Sequence, residues 1–580
     1  MAQNVSEQLV EILAMAGCKH VFGMTGDALN YFVQGINASP EVKWINMRHE
    51  ENAAFAAYAQ GEIDGLGVCA GTLGPGALHL INGLYNAKKE RTPVVAVTGQ
   101  VALDQQGTNF FQESNLRRTF DDLCAYQAVI NSAEAAPRLF QRAIQTAISQ
   151  RTVTRIELPD DIGRLPAAGK KYIHQFFEIS QQLMPSDKSV NAAADLIKSA
   201  EKITILAGAG CRKARDEVIA LSRLLKAPIV HTLRSADIFD HEIDNVTGLT
   251  GLIGNPAGYK AVLDCDLLIM IGTDFPYDNY LANDVKVLQI DIRAENLGNR
   301  VGLSVAIHGD AKTTLERLLT KIKPGKDPGF LTKHRNSFHQ WREEMKQKFS
   351  VSNDFEPLHP QIFTQVINEK AADDAIFTVE TSTAAIWTVR HISFYKNRRI
   401  LGSFNHGSMG VGLPAAIGAQ ITKPGLEVWA LCGDGGFGMA MQDFITAVRY
   451  QLPVKFVIFN NSSLQLINLE MENAGDSPNQ EAASLTNPDF AEFARLCGGD
   501  GIQVKHAADI EPAIEQAKQS KKPFIIDAIV SGTEIPFPPH ISLQDALNLT
   551  ESKLKEAKDA IKGNKKQWEF MMEQLKTLIN

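Results

Sequence analysis

Cysteine is scarce and unpatterned in this sequence. Seven residues, Cys18, Cys69, Cys124, Cys211, Cys265, Cys432 and Cys497, stand singly along 580 positions. With no C-x-x-C pair, neither a disulfide framework nor a thiolate zinc site is expected, and the pattern points to a reducing, cytoplasmic compartment. No run approaches the roughly 18 apolar residues that a membrane-spanning helix needs. The N-terminus has no basic stretch followed by an apolar one, so no secretory signal is read there. Excess positive charge is missing too. The formal net charge of −8 argues against a nucleic-acid partner. A metalloprotease helix is excluded, because H-E-x-x-H would need histidine where Ala53 follows His49 and Glu50.

What is present is length and alternation. A chain of 580 residues exceeds one compact core and implies three or four domains. Hydrophobic residues at 44% and charged residues at 21% are ordinary for a globular protein. Short apolar runs alternate with amphipathic helical stretches: Val94–Thr98, Ile203–Ala207, Leu267–Ile271, Val287–Ile292, Val428–Leu431 and Val454–Asn460. Such runs suit parallel strands covered on both faces. Glycine, aspartate or asparagine follows most of them, where open α/β sheets bind ligands. The expected fold is therefore α/β, with repeated doubly wound parallel sheets. Proline- and glycine-rich stretches near 164–190 and 323–360 read as linkers, and the alternation stops after Ile535-Pro536-Phe537-Pro538-Pro539.

The sharpest local signal is Gly433-Asp434-Gly435-Gly436, directly after the apolar run Trp429–Cys432. One helix and one strand later comes Phe459-Asn460-Asn461-Ser462. Glycines after a strand let backbone N–H groups approach a phosphate. A carboxylate and an amide oxygen from neighbouring strand ends suit Mg²⁺, which also takes phosphate oxygens. Asp434 and Asn461 can thus hold an ion that grips a diphosphate; the bland alternative is a glycine-rich turn with a capping aspartate. Arg48-His49-Glu50-Glu51-Asn52-Ala53-Ala54 precedes an alanine-rich helix. There Glu50 is either a carboxyl group for proton transfer in a dry pocket or a helix-start anion facing the dipole.

G-D-G followed by N-N, with 29 residues from Gly433 to Asn461 inclusive, resembles the motif of thiamine-diphosphate enzymes. R-H-E-x-A-A resembles their activating-glutamate segment. The resemblance implies that Glu50 bonds the aminopyrimidine ring and that the carbonyl of Ser463 is a third metal ligand. It also implies that Asn405-His406-Gly407-Ser408-Met409 contacts the cofactor, Met409 wedging it into its V shape. Thr25, Gly26, Asp27 and Gly74 would border the same cofactor, with Ser462, Leu464, Gln465, Leu466 and Ile467 on the other side. His79, Phe111, Gln112 and Glu470 would stand by the substrate as catalytic candidates. Each could individually be turn, cap or core.

Gly208-Ala209-Gly210 after Ile203–Ala207 is an incomplete dinucleotide fingerprint, with Lys213 where the third glycine belongs. A longer ordered set resembles the flavin-containing branch: Thr250-Gly251-Leu252-Ile253-Gly254, then Asp274-Phe275-Pro276-Tyr277-Asp278, then Asp291-Ile292. Over roughly residues 1–545 the chain resembles the quinone-dependent bacterial pyruvate oxidases. That implies a pyrimidine-binding domain over 1–182, an FAD-binding domain over 183–334, a diphosphate-binding domain over 335–530 and a tail over 531–580. It further implies thiamine diphosphate, Mg²⁺ and FAD as cofactors and pyruvate or a close 2-oxo acid as substrate. The products would be acetate and CO₂, with electrons leaving through FAD to ubiquinone, in a homotetramer. Two segments depart from the pattern. Glu380-Thr381-Ser382-Thr383 stands where relatives place a glycine near the diphosphate. Leu464-Gln465-Leu466-Ile467 replaces a stretch carrying an aromatic beside the flavin.

From Leu554 onward, Ala557, Ile561, Trp568, Met571 or Met572, Leu575 and Leu578 recur at three-to-four spacing. Residues 551–580 hold seven lysines and five acidic residues, a net of +2. This reads either as a helical tail lying on a membrane surface, as the resemblance implies, or as a helix packed on a neighbouring subunit.

Overall fold

Every β-branched run named above becomes a strand buried on both faces, with ends moved by two residues or fewer. The computed structural model describes residues 3–168, 176, 182–325, 327–349, 356–395, 397–473, 479–532 and 534. The tail over 551–580 lies outside them.

Three six-stranded parallel sheets carry the chain. The first holds β1 (His20–Gly23), β2 (Lys43–Asn46), β3 (Gly67–Gly71), β4 (Val94–Gln100), β5 (Tyr126–Val129) and β6 (Val153–Pro159). Its order is β2-β1-β3-β4-β6-β5. The second holds β7 (Ile203–Ala207), β8 (Ile229–His231), β9 (Val246–Leu249), β10 (Leu267–Ile271), β11 (Lys286–Asp291) and β12 (Val305–His308), ordered β12-β11-β10-β7-β8-β9. The third holds β13 (Ile376–Val379), β14 (Arg399–Gly402), β15 (Val428–Gly433), β16 (Lys455–Asn460), β17 (Asp500–Val504) and β18 (Phe524–Ile529), ordered β14-β13-β15-β16-β18-β17. The outer sheets share one winding, 2-1-3-4-6-5. The middle sheet, counted from its own first strand, runs 3-2-1-4-5-6, the order of doubly wound dinucleotide-binding folds.

The outer sheets meet through two helices, Glu50–Asp64, buried from Asn52 to Gly61, and Gly412–Thr422, buried along its whole length. Alanine and glycine let them cross closely. A Cβ on Gly418 would lie 2.3 Å from the Ala56 carbonyl oxygen. Asp443 ties the first layer to the third: its carboxylate accepts from Arg48 N at 2.8 Å, Asn52 Nδ2 at 2.6 Å and Thr446 Oγ1 at 2.7 Å. The middle layer is held by charge. Arg234 Nε lies 2.7 Å from the buried Glu90 carboxylate, Arg91 pairs with Asp274 at 2.6 Å, and Arg212 and Arg399 both reach Asp237. Glu90 and Asp237 are the buried members, and removing an arginine would strand their charge. The helix Gly329–Lys348 packs on the helix Pro256–Leu263 and on β9, so it continues the middle layer beyond residue 334. Among the described residues no helix is long and apolar enough to cross a membrane.

Candidate active site

β15 ends at Gly433, and the chain turns at once into a short helix beginning at Asp434. Glycine is needed there for space. A Cβ on Gly436 would stand 2.3 Å from Glu380 Cγ, one on Gly435 2.6 Å from Leu464 Cδ2, and one on Gly433 2.9 Å from Ser382 Cβ. Asp434 is buried and accepts hydrogen bonds from Gly435 N, Ser462 N and Asn487 Nδ2, the last at 2.8 Å. Burial pushes its carboxyl up, against those donors. Asn461 leaves the neighbouring strand β16, since Gly433 pairs with Phe459. Its Nδ2 donates to Gln465 Oε1 at 2.8 Å and its Oδ1 accepts from Ser463 N. Carboxylate, amide oxygen and the Ser463 turn form an all-oxygen donor set beside a glycine cradle. That chemistry fits a hard divalent ion and a diphosphate.

Asn487 is a site residue that sequence reasoning missed. It bridges Asp434 to Asn460 Oδ1 at 3.0 Å from a loop 53 positions away from Asp434. No spacing rule marks it.

The other half forms around Glu50, the first residue of its helix and only 5% exposed. His49 caps that helix through Nδ1, accepting from Glu51 N. The Glu50 carboxylate meets His79 Nδ1 at 2.9 Å, and His79 stacks on His49 with ring centroids 4.6 Å apart. Gly76 approaches Glu50, where a Cβ would lie 3.0 Å from Oε1. Thr72 fills the space between Gly26 and Gly76, and its buried Oγ1 has no hydrogen-bond partner. Sequence reasoning missed Thr72 as well. Asp27 caps its own turn by accepting from Ala28 N. Gly74, at φ +56, abuts the Gln112 carbonyl, and Gln112 itself takes φ +63. Phe111 beside it is 77% exposed. Asn82 donates to both Glu51 and Ser408 and pairs with His406 Nε2. Met409 reaches the Gly435 turn.

Glu380, which departs from the family pattern in the sequence, packs against Gly436 and Gly412. Its carboxyl is 1% exposed and accepts from Thr381 N, Val411 N and Gly412 N, facing the start of the helix Gly412–Thr422. Desolvation nevertheless raises it from 4.5 to about 7. The folded state therefore holds the proton more tightly than the unfolded chain. The resulting stabilisation is complete below pH 4.5 and is lost as pH rises through about 7. At about 1.4 kcal/mol for each pH unit between those values, the loss amounts to a few kcal/mol. Thermal midpoints from pH 5 to pH 8 should fall more in the native protein than in Glu380→Gln. Parallel curves would show that Glu380 stays ionised throughout.

In the middle layer, Gly208 and Gly210 press on the backbone of Gly272, so these glycines serve loop packing. Thr250 Oγ1 is buried without a partner. Arg390 donates to the carbonyl of Gly254, tying that loop to the third sheet's layer. A cavity of about 190 Å³ opens between the two layers. Leu252, Ile253 and Tyr277 line one side; Glu380, Ser382, Gly407, Leu466 and Glu470 line the other. Phe275 is buried beside it, in edge contact with Tyr277. Asp274 is instead engaged by Arg91, and Asp291, raised by burial, accepts from Arg293 N. Asp278 and Ile292 lie off the cavity wall.

Three family profiles match in succession: the N-terminal thiamine pyrophosphate binding domain over residues 3–118, the central domain over 190–318 and the C-terminal thiamine pyrophosphate binding domain over 380–528. The chain belongs to the thiamine pyrophosphate enzyme family. This enzyme is 36% identical over 558 residues to YdaP of Bacillus subtilis (strain 168), named only as a thiamine pyrophosphate-containing protein, covering 95% of this chain and 96% of that one. It is 28% identical over 534 residues to the pyruvate oxidase of Lactiplantibacillus plantarum, covering 90% and 88%. It is 28% identical over 547 residues to the acetolactate synthase large subunit of Corynebacterium glutamicum, covering 90% and 86%. The shared family makes it a thiamine-dependent enzyme of the decarboxylase and carboligase type, and its three α/β layers are the fold of that family.

Proposed function

We propose that this enzyme oxidatively decarboxylates pyruvate, or a close 2-oxo acid, to acetate and CO₂, passing two electrons to FAD and then to ubiquinone. The observation that carries the reading is the cavity in which Leu252, Ile253 and Tyr277 face Gly407, Leu466 and Glu470. It is a passage between the flavin segment and the thiamine segment. FAD in the middle unit is further supported by the 3-2-1-4-5-6 winding and by the unpartnered Thr250 Oγ1.

Thiamine diphosphate, when bound, supplies the electron sink for decarboxylation. Asp434, Asn461 and the Ser463 carbonyl would hold Mg²⁺ beside the diphosphate. Gly433, Gly435, Gly436 and Ser462 shape the cradle, and Met409 supports the bend of the cofactor. Glu50 would hold the proton for exchange with the aminopyrimidine ring, and His79 meets that carboxyl at 2.9 Å. Glu470 faces the substrate from the cavity wall, with Leu464, Gln465 and Ile467 on the same helix start. Phe111 and Gln112 would border the thiazolium, supplied by a second subunit. Exposed Phe110 and Phe111 on the first layer, and exposed Met439 and Ile467 on the third, supply apolar surface for a homo-oligomer, read as a homotetramer. The tail over 551–580 is assigned to peripheral lipid contact, with the enzyme otherwise cytoplasmic.

Anaerobic addition of pyruvate should bleach the flavin, and a ubiquinone analogue should restore its colour. Consumption of pyruvate without bleaching would instead assign a carboligase with a non-redox FAD, in line with the similarity to acetolactate synthase. Restoration by oxygen or phosphate alone would assign the acceptor differently.

A further inference from the structure

Asparagine makes an awkward metal ligand, because one end of its amide is an oxygen and the other a nitrogen that repels a cation. Something must decide which end faces the ion. For Asn461 that decision can be traced through the hydrogen bonds to groups that have only one role. Gln465, 7% exposed, donates through Nε2 to two backbone carbonyls, Gly532 O at 2.9 Å and Glu534 O at 2.8 Å. Carbonyl oxygens accept only, so the amide of Gln465 has one permitted orientation. Its Oε1 must then point back toward Asn461, and it accepts from Asn461 Nδ2 at 2.8 Å. With the nitrogen held there, Asn461 Oδ1 faces Ser463, whose N–H donates to it, and the adjacent Ser462 N–H donates to Asp434.

The carbonyls that start this relay are themselves pinned. The Glu534 carboxylate is buried, accepts from Gln361 Nε2 at 2.9 Å and contacts His359 Nδ1. Ser531 N donates to Leu358 O at 2.8 Å, and Val530 N to Asn460 O at 3.0 Å. The reference point is therefore the exit of β18, an element distant in sequence from the metal turn.

We propose that Gln465 is a positioning residue that fixes the amide of Asn461 with its oxygen toward the divalent ion. This rests on the reading of Asp434 and Asn461 as metal ligands. It assigns to Gln465 a role on the ion and not on substrate or flavin, and explains why a long amide stands at the start of that helix. Partners that orient a ligand typically change metal affinity by about 10–100-fold.

The test is Mn²⁺ titration by electron paramagnetic resonance on the full-length protein with thiamine diphosphate present. Gln465→Leu should weaken Mn²⁺ binding at least ~10-fold, and Gln465→Met, closer in shape, should do the same. The deciding comparison is a double-mutant cycle. Asn461→Asp offers oxygen at both ends and needs no orienting, so in that background Gln465→Leu should cost less than ~3-fold. Equal losses in both backgrounds would mean that Gln465 merely supports the fold, and the proposal fails. Binding of Mn²⁺ within ~2-fold of native in both Gln465 variants also overturns it. Asp434→Ala separates the two levels. If that variant and the native protein bind Mn²⁺ alike, or neither binds it, the ligand assignment itself has failed.

Discussion

Glu50→Gln should leave thiamine diphosphate bound and cut turnover by about 10²–10⁴-fold, the usual contribution of a positioned general acid–base group. Glutamine fills the same volume at the start of the helix Glu50–Asp64 and can still meet His79, so folding and binding survive. It cannot release or accept the carboxyl proton. Glu50 is 5% exposed, with His79 at 2.9 Å and Gly76 closing over Oε1, so no water-borne base can substitute from the described surroundings. Pyruvate-driven dye reduction, measured alongside cofactor content, decides the matter. Turnover within twofold of native at equal cofactor content would remove Glu50 from the chemistry and leave it as a helix-start anion.

Asp434→Ala should abolish retention of thiamine diphosphate through gel filtration at Mg²⁺ levels that saturate the native enzyme. An ion held by the oxygen donors at the ends of β15 and β16 would link protein to diphosphate, and alanine removes the charged donor. The buried Asp434 carboxyl is pushed up in the absence of compensating charge, and a bound divalent cation would reverse that cost. The expected loss in apparent affinity is on the order of 100-fold or more, partly recovered by raising Mg²⁺. Retention that is unchanged and insensitive to EDTA would refute the metal reading. Alanine also removes the acceptor for Asn487 and Ser462, so far-ultraviolet circular dichroism should accompany the measurement.

Periodicity and local motif made a good part of this protein legible from sequence. The buried parallel strands announced themselves as short β-branched runs, because a strand covered on both faces has no polar alternation to hide it. The glycine–aspartate turn after Trp429–Cys432 and the asparagine pair after β16 were readable because backbone approach to a phosphate leaves few residue choices. Family membership followed from those motifs. By contrast, the shared 2-1-3-4-6-5 winding of the outer sheets was out of reach, since strand order is set by which helix faces bury together, across hundreds of residues.

The same division runs through the site. By itself the sequence determined the α/β class and the candidates Glu50, Asp434 and Asn461, since each sits in a contiguous motif whose residue types are restricted by chemistry. Only the tertiary structure decided that Thr72 fills the space beside Glu50, that Asn487 braces Asp434, and that Gln465 turns away to hold Asn461. It alone set Glu380 beneath the glycine cradle and opened the cavity between Tyr277 and Glu470. The physical reason is range. A motif records what neighbouring residues must do for the backbone, whereas a hydrogen bond from residue 487 to residue 434 exists only once separate strands and loops have packed.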